Sequence, residues 1–197
     1  YHTMLQPNIS MDVDNNYRGR DNKIHKAEGF TYYSVFSLWD TYRTLHPLLT
    51  ILQPKRSLDF LNSFLQQYRE GKRLPIWELS ANETDCMIGF HSVSVIADAA
   101  VKGISIADSL ELLQAAVKAS NDPRFGIPQF NAQGFLQQDD ASESVSKSLE
   151  YAYDNWCIAQ LAKTYNQPAI YEKHIARASA YKHLFDPSWF SHGRIKT

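Results

Sequence analysis

The sequence predicts a mainly α-helical fold, with helical hairpins in series behind a short stretch of β segments. Three observations carry this. From Ser37 onward, apolar residues recur at three- and four-residue spacing. Gly and Pro gather at a few points between those periodic runs. The connections alternate between short and long, which sets the helices in pairs.

Residues 1–36 form a leading segment of different character. Asp12-Val13-Asp14-Asn15-Asn16 and Arg18-Gly19-Arg20-Asp21-Asn22 are turn-rich, and Thr31 to Phe36 is β-branched and aromatic, so short extended pieces joined by turns are expected.

Residues 37–197 carry the helices. Ser37 can cap the first, with Leu38, Tyr42, Leu45, Leu49 and Leu52 on one face; Pro47 should kink or restart it. Ser57 opens a second helix with Leu61, Phe64, Leu65 and Tyr68 on its buried face and Gly71 as its stop. Residues 74–90 read as a long irregular loop. A third helix is expected over His91 to Lys102, ended by Gly103, and a fourth from Ser105. Asp108 would complete a capping box there, with Ile106, Leu110, Leu113 and Val117 inside.

Residues 121–141, with Pro123, Gly126, Pro128 and Gly134, read as a second long loop. A fifth helix runs from about Ser142 to Tyr165, burying Val145, Leu149, Ala152, Trp156 and Ala159. Pro168 suits the first turn of a sixth, which ends before Pro187. Three hairpins result, and the spacing matches no tetratricopeptide or HEAT period. Short links on one side and long loops on the other suit part of an α/α toroid, whose long loops converge on a pocket.

Composition narrows the function. The 20 basic and 21 acidic residues leave a net charge of −1 without a run of either sign, so neither nucleic acid nor an anionic membrane is expected as partner. No apolar stretch approaches a membrane span. Cys86 and Cys157 are far apart and the seven His are scattered, so no metal site is expected and no disulfide is inferred. A GxSxG elbow, an HExxH helix and a Gly-rich phosphate loop are all missing from the sequence. The chain opens on Tyr1-His2-Thr3 without a signal peptide and reads as beginning and ending inside a domain.

Three clusters could carry chemistry. In Leu38-Trp39-Asp40-Thr41-Tyr42-Arg43, Asp40 and Arg43 lie one turn apart. On helix physics alone Asp40 completes a capping box with Ser37 and pairs with Arg43; functionally it could accept hydrogen bonds from sugar hydroxyls while Arg43 orients it. The segment from Trp77 to His91 packs three carboxylates, a Trp, a Cys and a His into one loop before a helix. It also holds the glycosylation sequon Asn82-Glu83-Thr84, a pattern repeated at Asn8-Ile9-Ser10. In Ser144 to Trp156, Glu150 and Asp154 share a face opposite Leu149 and Trp156, and two like charges there need a partner, such as Lys147 or a ligand.

Taken in order, these clusters resemble the calcium-dependent exo-α-mannosidases of glycoside hydrolase family 92. The residues that carry the likeness are Tyr1-His2-Thr3-Met4 with Pro7, Tyr33 to Pro47 (YSVFSLWDTYRTLHP), Glu83 to Asp98 (ETDCMIGFHSVSVIAD), Ser144 to Trp156 (SVSKSLEYAYDNW), Tyr181 to Asp186, and Gly193-Arg194. The resemblance implies a catalytic (α/α)6 barrel of which residues 37–197 form the first half, inverting hydrolysis of terminal α-mannosides, and a calcium ion that binds two mannose hydroxyls. It implies mannose-containing glycans and the remainder of the catalytic domain as partners, and a secreted, periplasmic or cell-surface parent protein.

The family's general acid lies in a Thr-Glu-Gly-Asn type motif and its base in a Gly-Asn-Asp/Glu-Asp type motif; neither occurs here, so acid, base and calcium ligands are expected outside this chain. What transfers is sugar contact: Asp40 first, then Trp39, Arg43, Trp77, Glu83 and His91, with Glu150 and Asp154 as supports behind them. Asn155 stands where the family often has Asp. Glu150 and Asp154 are rejected as the catalytic pair. Inversion needs carboxyls about 6.5–9.5 Å apart on opposite faces of the bond, whereas residues four apart on a helix sit about 5–6 Å apart at Cβ on one side. Two other readings remain: a different α/α-toroid glycosidase with its dyad among Glu83, Glu150 and Asp154, and a non-catalytic helical scaffold.

Overall fold

A computed structural model of the chain describes residues 5–185. Tyr1 to Met4, Asp186, Pro187 and Gly193-Arg194, which carry part of the sequence pattern, lie outside them. The leading segment forms short strands as expected. β1 (Asn8–Ile9) pairs antiparallel with β4 (Tyr33–Ser34), and β2 (Asn16–Arg18) with β3 (Ile24–Lys26). Tyr17 stacks on Tyr32 with ring centroids 3.8 Å apart, making a small core of its own with Ala27. The Tyr17 hydroxyl and the Arg20 amide both donate to Glu70, which fastens this segment to the helices.

β5 (Phe36–Ser37) leads into α1 (Leu38–Thr41) and, after a break at 42–44, α2 (Leu45–Leu52). The helix restarts before Pro47, which then occupies the first turn, where its missing N–H leaves no bond unmade. α3 (Pro54–Gly71) opens three residues earlier than Ser57 because Pro54 is itself a favourable first residue, and it closes on Lys72 in the left-handed region.

The expected loop at 74–90 contains a hairpin instead: β6 (Trp77–Leu79) and β7 (Asn82–Glu83) join β5 in a three-stranded sheet. Its register sets Ser37 opposite Trp77 and Glu78 opposite Glu83. The turn residues Ser80 and Ala81 both have positive φ, 50° and 71°. Asn-Gly or Asp-Gly ordinarily fills such a turn, so Ser-Ala gave no turn signal.

α4 (Ser92–Val101) matches its expected span within a residue, and Gly103 (φ +81°) follows it. α5 (Ser109–Ala119) begins four residues after Ser105. Asp108 is its N-cap but makes no capping hydrogen bond, because its carboxylate takes the Arg69 guanidinium at 2.9 Å. The buried face is accordingly Leu112, Leu113, Ala115 and Ala116, and Leu110 is 52% exposed rather than inside. The second expected loop holds α6 (Ile127–Gln133), bracketed by Gly126 and Gly134 in the left-handed conformation. α7 (Ser144–Thr164) and α8 (Pro168–Ala178) follow, then a 3-10 turn at Ser179–Leu184.

α2 packs on α3, α4 on both α5 and α7, and α7 lies along α8. In the main core Phe36 makes edge-to-face contacts with Phe60 and Phe64, and the same cluster holds Val93, Ile96, Ile158 and Leu161. α7 meets expectation only in part: Ala152 and Ala159 are buried as expected, but its inward face also carries polar residues. Leu149 and Trp156 are 40% and 47% exposed, whereas Ser148, Asp154 and Asn155 are buried. Among the described residues, no helix is long and apolar enough to cross a membrane.

Candidate functional site

The inward polar face of α7 meets the start of α4. His91, the residue before α4, is 1% exposed and lies between two carboxylates of α7. Its Nδ1 donates to Asp154 Oδ1 at 2.8 Å, and its Nε2 stands 3.1 Å from Glu150 Oε2 without hydrogen-bond alignment. Asp154 is fully buried, and its other oxygen accepts the Phe90 amide at 2.8 Å. Burial pulls the His91 pKa down, but the Asp154 charge and hydrogen bond, with the Glu150 carboxylate beside Nε2, outweigh it and raise it to about 9. The imidazole is therefore a cation at neutral pH. Burial pulls Glu150 up; His91, Arg43 and Tyr42 together hold it below its ordinary value.

Tyr42 covers this pair. Its ring stacks on His91 at 4.2 Å and its hydroxyl donates to Glu150 Oε2 at 3.3 Å. Arg43 donates to Glu150 Oε1 at 3.2 Å, and its guanidinium lies over the rings of Trp39 (5.4 Å) and Tyr42 (4.9 Å). Arg43 thus pairs with Glu150 rather than with Asp40. Asp40 is exposed and accepts a hydrogen bond from the Ser37 hydroxyl, a side-chain contact that replaces the expected capping box, since Ser37 makes no capping bond to the helix backbone. The Trp39 indole N–H is buried without an acceptor among the described residues.

The hairpin supplies a second element. Trp77 sits opposite Ser37 across the sheet, which brings it beside the residue that holds Asp40. Glu83 faces the other way. One of its oxygens accepts the amides of Trp77 and Asp85 at 2.8 and 3.1 Å, and the other accepts Ile76 N–H at 2.9 Å. Arg20 lies 3.8 Å from it, and both side chains are 4% exposed. Glu83 holds the loop in shape; its oxygens are not presented to a ligand. Glu78, fully buried, does the same for the strand entry, accepting Ser34 Oγ, Val35 N–H and Ala81 N–H. Val35, a β-branched residue, sits at φ 67° there.

The fold thus joins Trp39, Arg43, His91, Glu150 and Asp154 in one network, puts Asp40 and Trp77 beside it, and sets Glu83 apart. Sequence reasoning missed Tyr42, counted only as an apolar helix position, and Glu78, not separated from its neighbours. Lys147, the expected partner of Glu150, instead reaches Glu143 at 3.4 Å.

Calcium does not fit these residues. Glu150 and Asp154 already face a cation, His91, and among the described residues no group of three His, Cys, Asp or Glu side chains could hold a metal ion.

Residues 1–196 match the family model described as glycosyl hydrolase family 92 catalytic domain. The chain is 45% identical, with a TM-score of 0.92, to a solved family GH92 alpha-mannosidase of Bacteroides thetaiotaomicron in complex with mannoimidazole, covering 95% of this chain and 25% of that one. It is 30% identical, with a TM-score of 0.86, to a GH92 inverting mannosidase of B. thetaiotaomicron VPI-5482, covering 95% and 27%. An uncharacterized secreted glycosidase of Arthroderma benhamiae is 27% identical over 171 residues, 78% of this chain and 22% of its own length. The chain therefore spans about a quarter of the relatives it matches. It belongs to glycoside hydrolase family 92, within that family's catalytic domain.

Proposed function

We propose that this chain supplies one wall of the mannose pocket of an exo-acting, inverting α-mannosidase that removes terminal α-mannose from glycans with calcium assistance. The observation that carries the reading is the Trp39-to-Arg43 turn, seated on the buried His91–Glu150–Asp154 network with Asp40 left open to a ligand. An aromatic ring and an open carboxylate on a rigid base suit a sugar, which stacks one face and hydrogen-bonds its hydroxyls. Two solved relatives are described as mannosidases, one of them bound to mannoimidazole, which agrees with this substrate class.

In this reading Asp40 accepts hydroxyl hydrogen bonds, Trp39 and Trp77 pack against the ring, and Arg43 fixes the approach. The imidazolium of His91 keeps Glu150 ionised, and Glu150 in turn holds Arg43. Asp154 anchors His91, and Glu83 anchors the hairpin. Glu150 and Asp154 both face His91 from one helix, which supports an acid, a base and calcium ligands supplied elsewhere in the protein. The succession α2, α4, α7 with α3, α5 and α8 as their mates supports the first half of an (α/α)6 toroid. The secreted relative supports a location outside the cytoplasm.

The test is kinetic. In the full-length protein, Asp40→Asn should lower kcat/KM for an aryl α-mannoside by about 10- to 100-fold, the worth of one hydrogen bond to a charged group, with fold and stability unchanged. An unaltered kcat/KM would remove Asp40 from the pocket. The isolated chain should not turn over the same substrate; hydrolysis at enzyme-like rates would put the acid and base within it.

A further inference from the structure

Directly behind the network, between α3, α5 and α7, lies a cavity of 160 Å³. Its floor is Leu74, Phe90, Ala115, Ile127 and Tyr151, all buried, and its walls include the rings of Tyr68 and Phe125. None of the residues assigned to the sugar wall lines it. We propose that this cavity is a binding site for a neutral molecule with a single aromatic ring.

Size, lining and charge all point to that class. A dry cavity of about 150 Å³ lined by apolar side chains takes up benzene or xenon, and this one is of the same volume. Its floor is aromatic on two sides, with Phe90 and Tyr151 stacked 5.7 Å apart, a surface that favours another ring by offset or edge contact. The polar groups those two residues bring are already used: the Phe90 amide donates to Asp154 and the Tyr151 hydroxyl to the Phe125 carbonyl. An ionised guest would find no counter-charge on the floor and would carry its full desolvation cost. Two half-buried charged residues also line it, Arg73 and Asp122, but they are already paired with Asp85 at 2.9 Å and Arg124 at 2.8 Å; at the mouth Lys118 and Asn121 are exposed, and the Lys118 ammonium lies 5.4 Å from the centre of the Tyr68 ring. A small substituent such as a phenolic hydroxyl would point there.

The proposal is independent of the substrate reading, since it uses neither Asp40 nor the sugar. It is tested by titrating the full-length protein with benzene, phenol and benzoate, following heat and melting temperature. Saturable binding of benzene and phenol with a rise in Tm is expected, and at least tenfold weaker binding of benzoate. Ala115→Leu, which fills the floor, should weaken benzene and phenol at least tenfold. Saturation-transfer NMR on the unsubstituted protein should place phenol protons against the rings of Phe90 and Tyr151, a readout that stands even if the Leu variant does not fold. Absence of saturable binding, equal affinity for benzoate, full affinity in a folded Ala115→Leu, or phenol located elsewhere would each overturn the proposal.

Discussion

His91 Nδ1 and Asp154 Oδ1 stand 2.8 Å apart with both side chains closed off from solvent, so the charged face of α7 is its inward face. Removing one partner of such a pair leaves an uncompensated charge in the interior. Asp154→Ala should therefore cost about 3–5 kcal/mol in denaturant unfolding, and the His91 pKa read by NMR should fall from about 9. Asp154→Asn, which keeps an acceptor but not the charge, should cost less and lower the His91 pKa in the same direction.

The same pair sets a pH dependence. The His91 pKa is raised in the folded state from 6.5 to about 9, so its contribution to stability is complete below pH 6.5 and is lost as pH rises through 9. The size is on the order of 3 kcal/mol, from the worth of one pKa unit. Glu150 is shifted the other way. Its contribution is present above its ordinary value of 4.5 and is lost on acidification below it. Unfolding free energies measured from pH 4 to 10 should fall at both ends, and His91→Gln should flatten the alkaline limb. An alkaline limb unchanged by that substitution would mean His91 does not carry the charge.

Gly89 separates steric contact from backbone strain. Its φ is +84°, and a Cβ there would meet the His91 ring; Gly103 has φ +81° with nothing within 4 Å. Both Ala variants should lose roughly 1–2 kcal/mol from the left-handed conformation. Only Gly89→Ala should also displace the His91 ring, read as a changed imidazole chemical shift.

Much of the helical frame was legible in the sequence, because α3 buries Phe60, Leu61, Phe64 and Leu65 at helical spacing, Pro168 opens α8, and Gly103 in the left-handed region follows α4. The face of α7 was not. Leu149 and Trp156 look like core residues, yet Ser148, Asp154 and Asn155 lie inside, because their hydrogen bonds are supplied by residues far away in sequence: Asp154 accepts from Phe90 and His91, Asn155 pairs with His174, and the Ser148 hydroxyl oxygen accepts the Leu136 N–H. Periodicity counts apolar side chains and is blind to partners that make a polar face buriable. The hairpin was hidden for a related reason. Its positive-φ turn is filled by Ser80 and Ala81, and the carboxylates of Glu78 and Glu83 stabilise it in place of Gly.

Glu83 is accordingly expected to act on the loop. Glu83→Ala would leave the amides of Ile76, Trp77 and Asp85 without their acceptor. A loss of about 2–3 kcal/mol is expected for hydrogen bonds to a buried charge, with faster amide exchange confined to that hairpin. Unchanged exchange at those three amides would contradict the anchoring role.

The most direct measurement is a crystal structure of the full-length protein holding a non-hydrolysable α-mannoside. A terminal mannose is expected within hydrogen-bond distance of the Asp40 carboxylate, in contact with the Trp39 and Trp77 side of the sheet, with Glu83 still bound to its backbone amides. A mannose bound elsewhere, with Asp40 open to water and the Trp39-to-Arg43 turn untouched, would contradict it.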